Sequence, residues 1–317
     1  MTIRRRPTLR GRDQAAKPEM VSEVDATLTG PPNGQRPEPV SGTWRRFLRH
    51  PMALVGLAVI AALVAFSFLG PLVYRTDQVH ADLAQSMLPP SADHPLGTTD
   101  AGYDVLGRLM VGGQASLAVG FAAALLSVIF GTLYGAVAGY LGGVVDDVMM
   151  RVVDAVLSIP PIFVLILLSA IFHPDPTVMI FIIAAFSWLG VARLVRGETL
   201  TLRTREFVQQ VKMIGGGPVR CVVRHIVPNA VGTIVVKATF EVADSILVLA
   251  GLGFLGLGIQ PPDTDWGGML SNGLAYLQNG AWWLIYPPGI AIMLTVVAFN
   301  FVGDSLRDTF ETRLLRR

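Results

Sequence analysis

Three charged residues stand close together in one apolar stretch of the sequence, at a spacing that permits an ion pair. Lys237 and Glu241 are four residues apart, and Asp244 follows three residues later. On a helix, residues at i and i+4 share a face, so the Lys237 ammonium can pair with the Glu241 carboxylate. A charge inside a membrane span costs about 2.5–3.5 kcal/mol and usually faces the bundle interior or water. Two roles stay open: an internal ion pair that orients the helix, or a polar lining of a path across the membrane. A third interpretation is that the boundary of the span lies elsewhere.

Residues that would serve enzyme catalysis are missing from the sequence. It contains no H-E-x-x-H, no G-x-S-x-G and no histidine within a long apolar run to act as a base. A P-loop is also missing, because the glycines at 215–217 are followed by Pro-Val-Arg. The five histidines are scattered, and the single cysteine excludes a multi-cysteine metal site. We therefore predict no catalytic residue, and no metal or cofactor bound by this chain.

The composition is that of a membrane protein. Of the 317 residues, 52% are hydrophobic and only 15% are charged, whereas soluble domains carry about 25% charged residues. The net charge of +2 is too small to indicate nucleic-acid binding. Several uncharged runs are long enough to cross a bilayer, and such runs predict membrane spans.

Six membrane spans are predicted from these runs. The run from Leu109 to Val145 holds 37 residues, which as a helix would measure about 55 Å, so its ends are expected to lie at the membrane interface. Pro160 and Pro161 should kink the third span. The predicted spans cover about 51–74, 115–140, 149–172, 177–196, 230–257 and 282–303.

Two smaller patterns concern helix packing. Gly131, Gly135 and Gly139 make overlapping small-xxx-small steps in the second span, which predicts close contact with a neighbouring helix. Arg151 and Asp154 are three residues apart near the start of the third span, and we expect them to form an orienting pair.

The Lys and Arg counts of the connecting segments predict the orientation in the membrane. Ten lie in residues 1–50, seven in 193–229 and four in 304–317. Segment 75–110 has only two, together with five aspartates, and segment 258–281 has none. With six spans, every basic segment falls on one side. We therefore expect both termini and the 193–229 segment to be cytoplasmic.

The first 43 residues differ from the rest of the chain. They contain six prolines and no apolar periodicity, a composition that buries too little surface to fold. We predict a disordered cytoplasmic tail over residues 1–43 and one six-helix transmembrane domain over 44–317. The fold class expected is an all-α polytopic membrane protein with a long polar loop at 197–229.

That loop contains the stretch EFVQQVKMIGGGPVRCVVRHIVPN, residues 206–229. Phe207, Val208, Val211 and Ile214 recur at helical spacing and predict a short helix with one apolar face. Thr204 is a candidate N-cap for this helix, and Glu206 favours its first turn.

The second half of the loop predicts another short helix. The glycine run from Gly215 ends the first helix, Pro218 is suited to begin the second, and Pro228 should close it. The two short helices would lie at the membrane surface. Two roles stay open: an interfacial hairpin that shields the end of the bundle, or a docking element for a soluble partner.

The loop and four other segments resemble a known family of membrane proteins. The loop is similar to the EAA signature of ATP-binding-cassette importer permeases, with Gln209-Gln210-Val211, Gly215 and Ile226-Val227-Pro228 at the signature positions. The other four segments resemble the C-type permeases of dipeptide, oligopeptide and nickel importers, and the resemblance runs from about residue 45 to 315. They read HPLGTTDAGYDVLGRL (94–109), AGYLGGVVDDVMMRVVDAVLSIP (138–160), GLGFLGLGIQPPDTDWGGML (251–270) and AFNFVGDSLRDTF (298–310).

The resemblance implies a type I ABC importer permease fold and a multi-pass protein of the bacterial cytoplasmic membrane. Such a chain forms half of a translocation pore with a second homologous permease and works by alternating access. Two cytoplasmic ATPase subunits, or one fused pair, bind ATP and Mg²⁺, and an extracytoplasmic binding protein delivers the substrate. Lipid surrounds the spans, and no nucleic acid is involved.

The resemblance also assigns residues. The family's coupling helix corresponds here to Glu206 through Gly215. The residues expected to take part in ATPase coupling are Glu206, Phe207, Gln209, Gln210, Val211, Gly215 and Pro228. The chain departs from the family pattern at Gln209, where a glutamate is usual, and at Tyr103, where an arginine is usual.

The substrate is open at this stage. We predict that the transported substrate is a di- or oligopeptide, with nickel or another small solute as the alternative. An intramembrane enzyme is the competing class, and the missing catalytic motifs count against it. An ion channel would need a filter-like loop or a ring of charges, and neither is evident.

Overall fold

The computed structural model describes residues 47–78 and 80–314, with side chains up to residue 310. The tail predicted over residues 1–43 lies outside the described residues. Within the described residues, all named secondary-structure elements are helices. The β-type pairing there is limited to an isolated bridge between Thr98 and Asp104. The all-α prediction is thus confirmed for that part of the chain.

The main helices, in chain order, are α1 Pro51–Val73, α2 Val105–Leu141, α3 Gly143–Leu157, α4 Pro161–Phe172, α5 Pro176–Leu202, α6 Glu206–Met213, α7 Pro218–Cys221, α8 Val227–Phe254, α9 Trp266–Leu274 and α10 Tyr286–Leu314. A five-residue π-helical segment, Val222–Ile226, joins α7 to α8. Short 3-10 turns occur at Leu83–Gln85, Leu277–Asn279 and Trp282–Leu284.

By length and composition, the described residues contain four helices able to cross a membrane. These are α1, α2, α5 and the stretch Trp282–Phe310, and a fifth span results if α3 and α4 form one broken span. The six-span prediction also counts α8. Any 18-residue window of that 28-residue helix contains Lys237, Glu241 and Asp244, which exceeds the two charges that a span is allowed by composition. The sixth span therefore stays a prediction.

The break in the third predicted span lies where the two prolines occur. Helix α3 ends at Leu157 and α4 begins at Pro161, and the two axes are bent by 72°. Pro161 occupies the first turn of α4, where a missing N–H costs nothing. The sharp bend follows because proline cannot continue the hydrogen-bond ladder of the helix before it.

Helix α2 is the centre of the bundle, and its most extensive interface is with α5. The three glycines of its stripe lie directly against α5, as predicted. A Cβ on Gly131 would lie 2.7 Å from the Trp188 carbonyl oxygen, and one on Gly135 would overlap the Ala192 carbonyl oxygen. Glycine is required because the two backbones touch.

Three of the apolar core clusters connect α2 to most of the other helices. One contains Leu117 and surrounds Trp266 with residues of α8, α9 and α10. A second contains Val119 and packs α2 against α4, α5 and α8. A third contains Val128 and holds α2, α5, α6 and the π segment together. The 37-residue length of α2, about 55 Å as a helix, allows it to join all three.

Candidate functional site: the α6 segment and the charged cluster of α8

Helix α6 is short but is anchored at the end of the bundle where α2 and α5 end. Val208 is completely buried in the third core cluster. Arg203 donates a 2.9 Å hydrogen bond to the carbonyl oxygen of Gly139, and the Lys212 ammonium lies 4.8 Å from the centre of the Tyr140 ring. The helix is therefore held firmly to α2 at both of its ends.

A Schellman motif ends α6 at the glycine run. The Gly215 N–H donates to the carbonyl oxygen of Lys212 at 3.0 Å, and the Gly216 N–H donates to that of Val211 at 2.8 Å. Gly215 has φ = +81°, a left-handed conformation that glycine adopts without strain. The helix end predicted from the glycines is confirmed.

Two local predictions about this segment are wrong. The N-cap of α6 is Arg205, and no side chain caps it, because the Thr204 hydroxyl donates instead to the Thr201 carbonyl oxygen. Pro228 does not close a second helix. It lies in the first turn of α8, after the π segment, in which the Val227 N–H reaches back five residues to Val222. A proline without an N–H is accommodated there because first-turn amides need no partner within the helix.

The residues predicted for ATPase coupling lie on α6 and at its glycine turn, except Pro228, which lies in the first turn of α8. Glu206, Phe207, Gln209 and Gln210 are exposed, and Val211 is half-buried. Of the predicted apolar face, Val208 is completely buried, whereas Phe207 and Ile214 are exposed. Exposed apolar residues also occur at the end of α6, in α7 and in the π segment, and all but Ile214 were absent from the prediction: Met213, Ile214, Val219 and Val223. We call these four residues the α6–α7 apolar patch.

The charged cluster of α8 is assembled around one lysine. The Lys237 Nζ atom lies 2.7 Å from Glu241 Oε2 and 3.7 Å from Asp244 Oδ2. The Glu241 side chain is 5% exposed and that of Asp244 is 63% exposed. The Lys237 ammonium thus compensates the buried Glu241 carboxylate, and the accessible Asp244 carboxylate lies beside this pair.

Two further ion pairs join α3 to α5, and the sequence did not reveal them. Arg196 binds Asp146 with two hydrogen bonds, Nε to Oδ1 at 2.5 Å and Nη2 to Oδ2 at 2.8 Å. Asp154 pairs with Arg193 at 2.5 Å and not with Arg151 as predicted. The partners are 50 and 39 residues apart in the chain, so helical spacing could not indicate them.

The geometry is a helical bundle with an anchored surface helix and a charged cluster in an apolar helix, and comparison with known proteins identifies it. Residues 131–316 match the family model described as the binding-protein-dependent transport system inner membrane component. The chain belongs to this family. It is therefore a multi-pass membrane component of a transport system. Residues 39–90 match a second model, described as the N-terminal TM domain of oligopeptide transport permease C.

Curated relatives of this family member match most of its length. The dipeptide transport system permease protein DppC of Bacillus subtilis is 38% identical over 273 residues, which are 86% of this chain and 85% of the relative. The oligopeptide transport system permease protein OppC of the same organism is 36% identical over 269 residues, 85% of this chain and 88% of the relative. OppC of Escherichia coli is 40% identical over 271 residues, 85% and 89% respectively.

The opposite end of this family member's bundle is built around Asp265 and Trp266, which begin α9. Asp265 is fully buried and accepts hydrogen bonds from the N–H groups of Ile259 at 3.1 Å and Gly268 at 3.0 Å. Burial raises the pKa of the Asp265 carboxyl, and these hydrogen bonds partly offset the rise. The Trp266 indole N–H donates to the Leu109 carbonyl oxygen at 2.9 Å. The GLGFLGLGIQPPDTDWGGML segment is thereby fastened onto α2.

The segment between α1 and α2 is fastened at the same end. The Asp104 carboxylate caps α2 through the Gly107 N–H at 2.8 Å, and it also binds the Tyr74 hydroxyl and His94 Nδ1, both at 2.9 Å. Burial, with a contribution from Asp104, raises the pKa of Tyr74 to about 12. Within the described residues, no group of three metal-ligating side chains occurs.

Proposed function

We propose that the chain is the C-type permease subunit of an ATP-driven peptide importer and forms half of its translocation pore. The observation that carries the proposal is the match along about 85% of the chain to permeases named for dipeptide and oligopeptide transport. Those names favour peptides over nickel or another small solute as the substrate.

The topology that we propose has six spans, with α8 as the fifth and both termini in the cytoplasm. Pairing of Lys237 with Glu241 lowers the cost of placing α8 in the membrane, because the ions compensate one another. The orientation is tested with single cysteines in a Cys221→Ala background. A membrane-impermeant maleimide should label Ala101→Cys in intact spheroplasts, and Gln210→Cys only after the membrane is opened. The reverse pattern would contradict the orientation.

The α6 surface is the proposed contact with the ATPase. The helix is anchored to α2 by Val208 and Arg203, and it presents exposed side chains and the α6–α7 apolar patch. A firmly anchored helix transmits a push to the spans, whereas a loosely attached one would absorb it. We propose that ATP and Mg²⁺ bind to partner ATPase subunits and that their closure moves α6, which switches the open side of the pore.

The remaining parts of the proposed complex are a second homologous permease and an extracytoplasmic binding protein. The second permease completes the pore. Asp244 and the Lys237–Glu241 pair are the candidate polar lining of the path, with a purely orienting ion pair as the alternative role.

Reconstitution tests the function directly. The chain is co-expressed with the second permease, ATPases and binding protein of its own organism, and the complex is purified through a tag on this chain. We expect the ATPases to co-purify and the proteoliposomes to accumulate the dipeptide Ala-Phe with ATP inside. Proteoliposomes loaded with a non-hydrolysable ATP analogue are the control. A complex without ATPase, or equal uptake with the analogue, would contradict the proposal.

A further inference from the structure

A cavity of about 310 Å³ lies at the end of the bundle where α2 begins and α9 packs against it. Ligand pockets in proteins span roughly 300–1,000 Å³, so this one suits a small ligand. The segment before α2 contributes residues 99–101 and Tyr103 to its wall, and the segment before α9 contributes Pro261 and Thr264. Helix α9 itself and Arg108 from the first turn of α2 complete most of the rest. The wall is thus formed mostly by connecting segments and by α9, none of them a candidate span.

The cationic part of the wall is Arg108. Its guanidinium carbon lies 4.3 Å from the centre of the Tyr103 ring, and its Nη1 atom donates to the carbonyl oxygens of Gln78 at 3.2 Å and Pro262 at 3.3 Å. These contacts fix the guanidinium in place. Within the described residues they leave Nε and Nη2 available, and a fixed guanidinium with free donors is suited to a carboxylate. Asp263 lies near enough to attract Arg108 and would compete for it.

The anionic part of the wall is Asp100. Its side chain is exposed and accepts one hydrogen bond, 3.2 Å long, from the Tyr276 hydroxyl. A carboxylate has about four acceptor positions, so it retains capacity for an ammonium group. The cavity therefore offers an acceptor for a cation and a donor for an anion within one small volume.

Apolar side chains line the space as well: Val105, Pro261, Met269 and Leu284. Val105 is fully buried, and Met269 and Leu284 are nearly so. Pro261 is exposed, and Met269 and Leu284 retain 7% and 5% of their surface, so these three supply the contact area for an apolar group carried by the ligand.

We propose that this cavity is a subsite for a zwitterion the size of a dipeptide. Its terminal carboxylate binds Arg108, its terminal ammonium binds Asp100, and a side chain lies along Met269 and Leu284. The proposal rests on the proposed function, in which peptides reach this end of the bundle before they cross. A free dipeptide carries both terminal charges and an apolar group, which is the combination that this wall matches.

The test measures protection of a cysteine in the purified complex, without binding protein. Ala101→Cys in the Cys221→Ala background places a thiol on the cavity wall, and its rate of maleimide labelling is measured with and without Ala-Phe. At a concentration of about twice the dissociation constant, labelling should slow about threefold. N-acetyl-Ala-Phe and Ala-Phe amide, which each lack one terminal charge, should protect weakly.

Two variants separate ligand binding from local structure. Asp100→Asn should remove the preference for Ala-Phe over its N-acetylated form. Tyr276→Phe, which removes only the hydrogen bond to Asp100, should keep that preference. If neither variant changes the preference, Asp100 does not bind the ligand and the proposal is overturned.

Other results also overturn the subsite. These are no protection by Ala-Phe, equal protection by both blocked peptides, or protection by glycerophosphoethanolamine alone, which would indicate a lipid headgroup site. Uptake of Ala-Phe by the same reconstituted complex is measured in parallel. Uptake without protection overturns the subsite and leaves the proposed function standing, whereas a complex with no peptide uptake contradicts the proposed function itself.

Discussion

Lys237 Nζ lies 2.7 Å from Glu241 Oε2, one turn apart on α8, and the carboxylate that it meets is almost completely buried. Breaking a buried pair by removing one partner leaves an uncompensated charge, which costs about 3–5 kcal/mol. Replacing both partners with apolar residues is often nearly neutral, because no uncompensated charge is then left in the buried site. The main effect of Lys237 is therefore to make burial of the Glu241 charge tolerable. The ion pair itself adds little net stability compared with two apolar side chains.

We expect Lys237→Met to destabilise the chain by about 3–5 kcal/mol, because Glu241 would be left alone in its buried site. The double variant Lys237→Met/Glu241→Leu should recover most of this loss. Asp244→Asn is the matched control, since the Asp244 side chain is 63% exposed and an exposed pair is worth about 1 kcal/mol or less. Thermal unfolding in detergent measures all three. A double variant no more stable than Lys237→Met would contradict the expectation.

Glu241→Gln tests the role of the cluster in transport. If Glu241 lines the path, the substitution should lower the rate of peptide uptake, because it removes a charge beside the moving substrate. Assembly is checked by co-purification of the partner subunits and by the basal ATPase rate. Normal assembly with unaltered uptake of every peptide tried would leave the cluster as an orienting ion pair.

Gly215 and Gly217 form a matched pair for the coupling helix. A Cβ at either position meets nothing within 4 Å, but Gly215 has φ = +81° and Gly217 has φ = −69°. We expect Gly215→Val to strain the Schellman motif at the end of α6 and to separate ATP hydrolysis from uptake, because the helix end moves. Gly217→Val should keep the two coupled. The ratio of ATP hydrolysed to peptide transported measures the difference, and full coupled transport by Gly215→Val would remove the coupling role from this turn.

The glycine stripe of α2 has its own control on α5. A Cβ on Gly135 would overlap backbone atoms of Ala192 and Arg196, which cannot move aside, whereas one on Gly197 meets nothing within 4 Å. Gly135→Ala should cost about 1–3 kcal/mol through overpacking. Gly197→Ala should be neutral or stabilise the chain slightly, since alanine favours a helix by about 1 kcal/mol over glycine. Thermal unfolding midpoints of the two variants measure the difference. Equal midpoints would show that α2 and α5 can move apart to accommodate a Cβ at position 135 without loss of stability.

The two arginines of α5 are predicted to differ strongly although both are paired. Asp146, the partner of Arg196, has a side chain 7% exposed, whereas Arg193 and Asp154 are both more than half exposed. Arg196→Met should therefore destabilise the chain by about 3–5 kcal/mol. Arg193→Met should cost about 1 kcal/mol or less, because an exposed pair is screened by water. Equal decreases in the thermal unfolding midpoint would mean that burial does not determine how much each ion pair contributes to stability.

Much of the fold followed from local chemistry. Uncharged runs indicated the long helices, because a helix in the membrane must consist of apolar residues that satisfy their own backbone. The break before Pro161 and the helix end at Gly215 were predictable for a similar reason, since each depends on the φ angle or N–H of one residue. The Lys237–Glu241 pair was within reach because its spacing lies on a single helix.

Tertiary structure decided what local chemistry left open. Pro228 was expected to stop a helix, but the π segment before it removes the conflict, and core contacts of Val222 and Ile226 hold that segment in place. Asp146 binds Arg196, which lies fifty residues further along the chain. Arg108 and Asp100 meet α9 around one cavity although α9 is far from both in the sequence. The physical reason is the same in each case: local propensity acts over one or two helical turns, whereas packing around α2 determines which distant side chains meet.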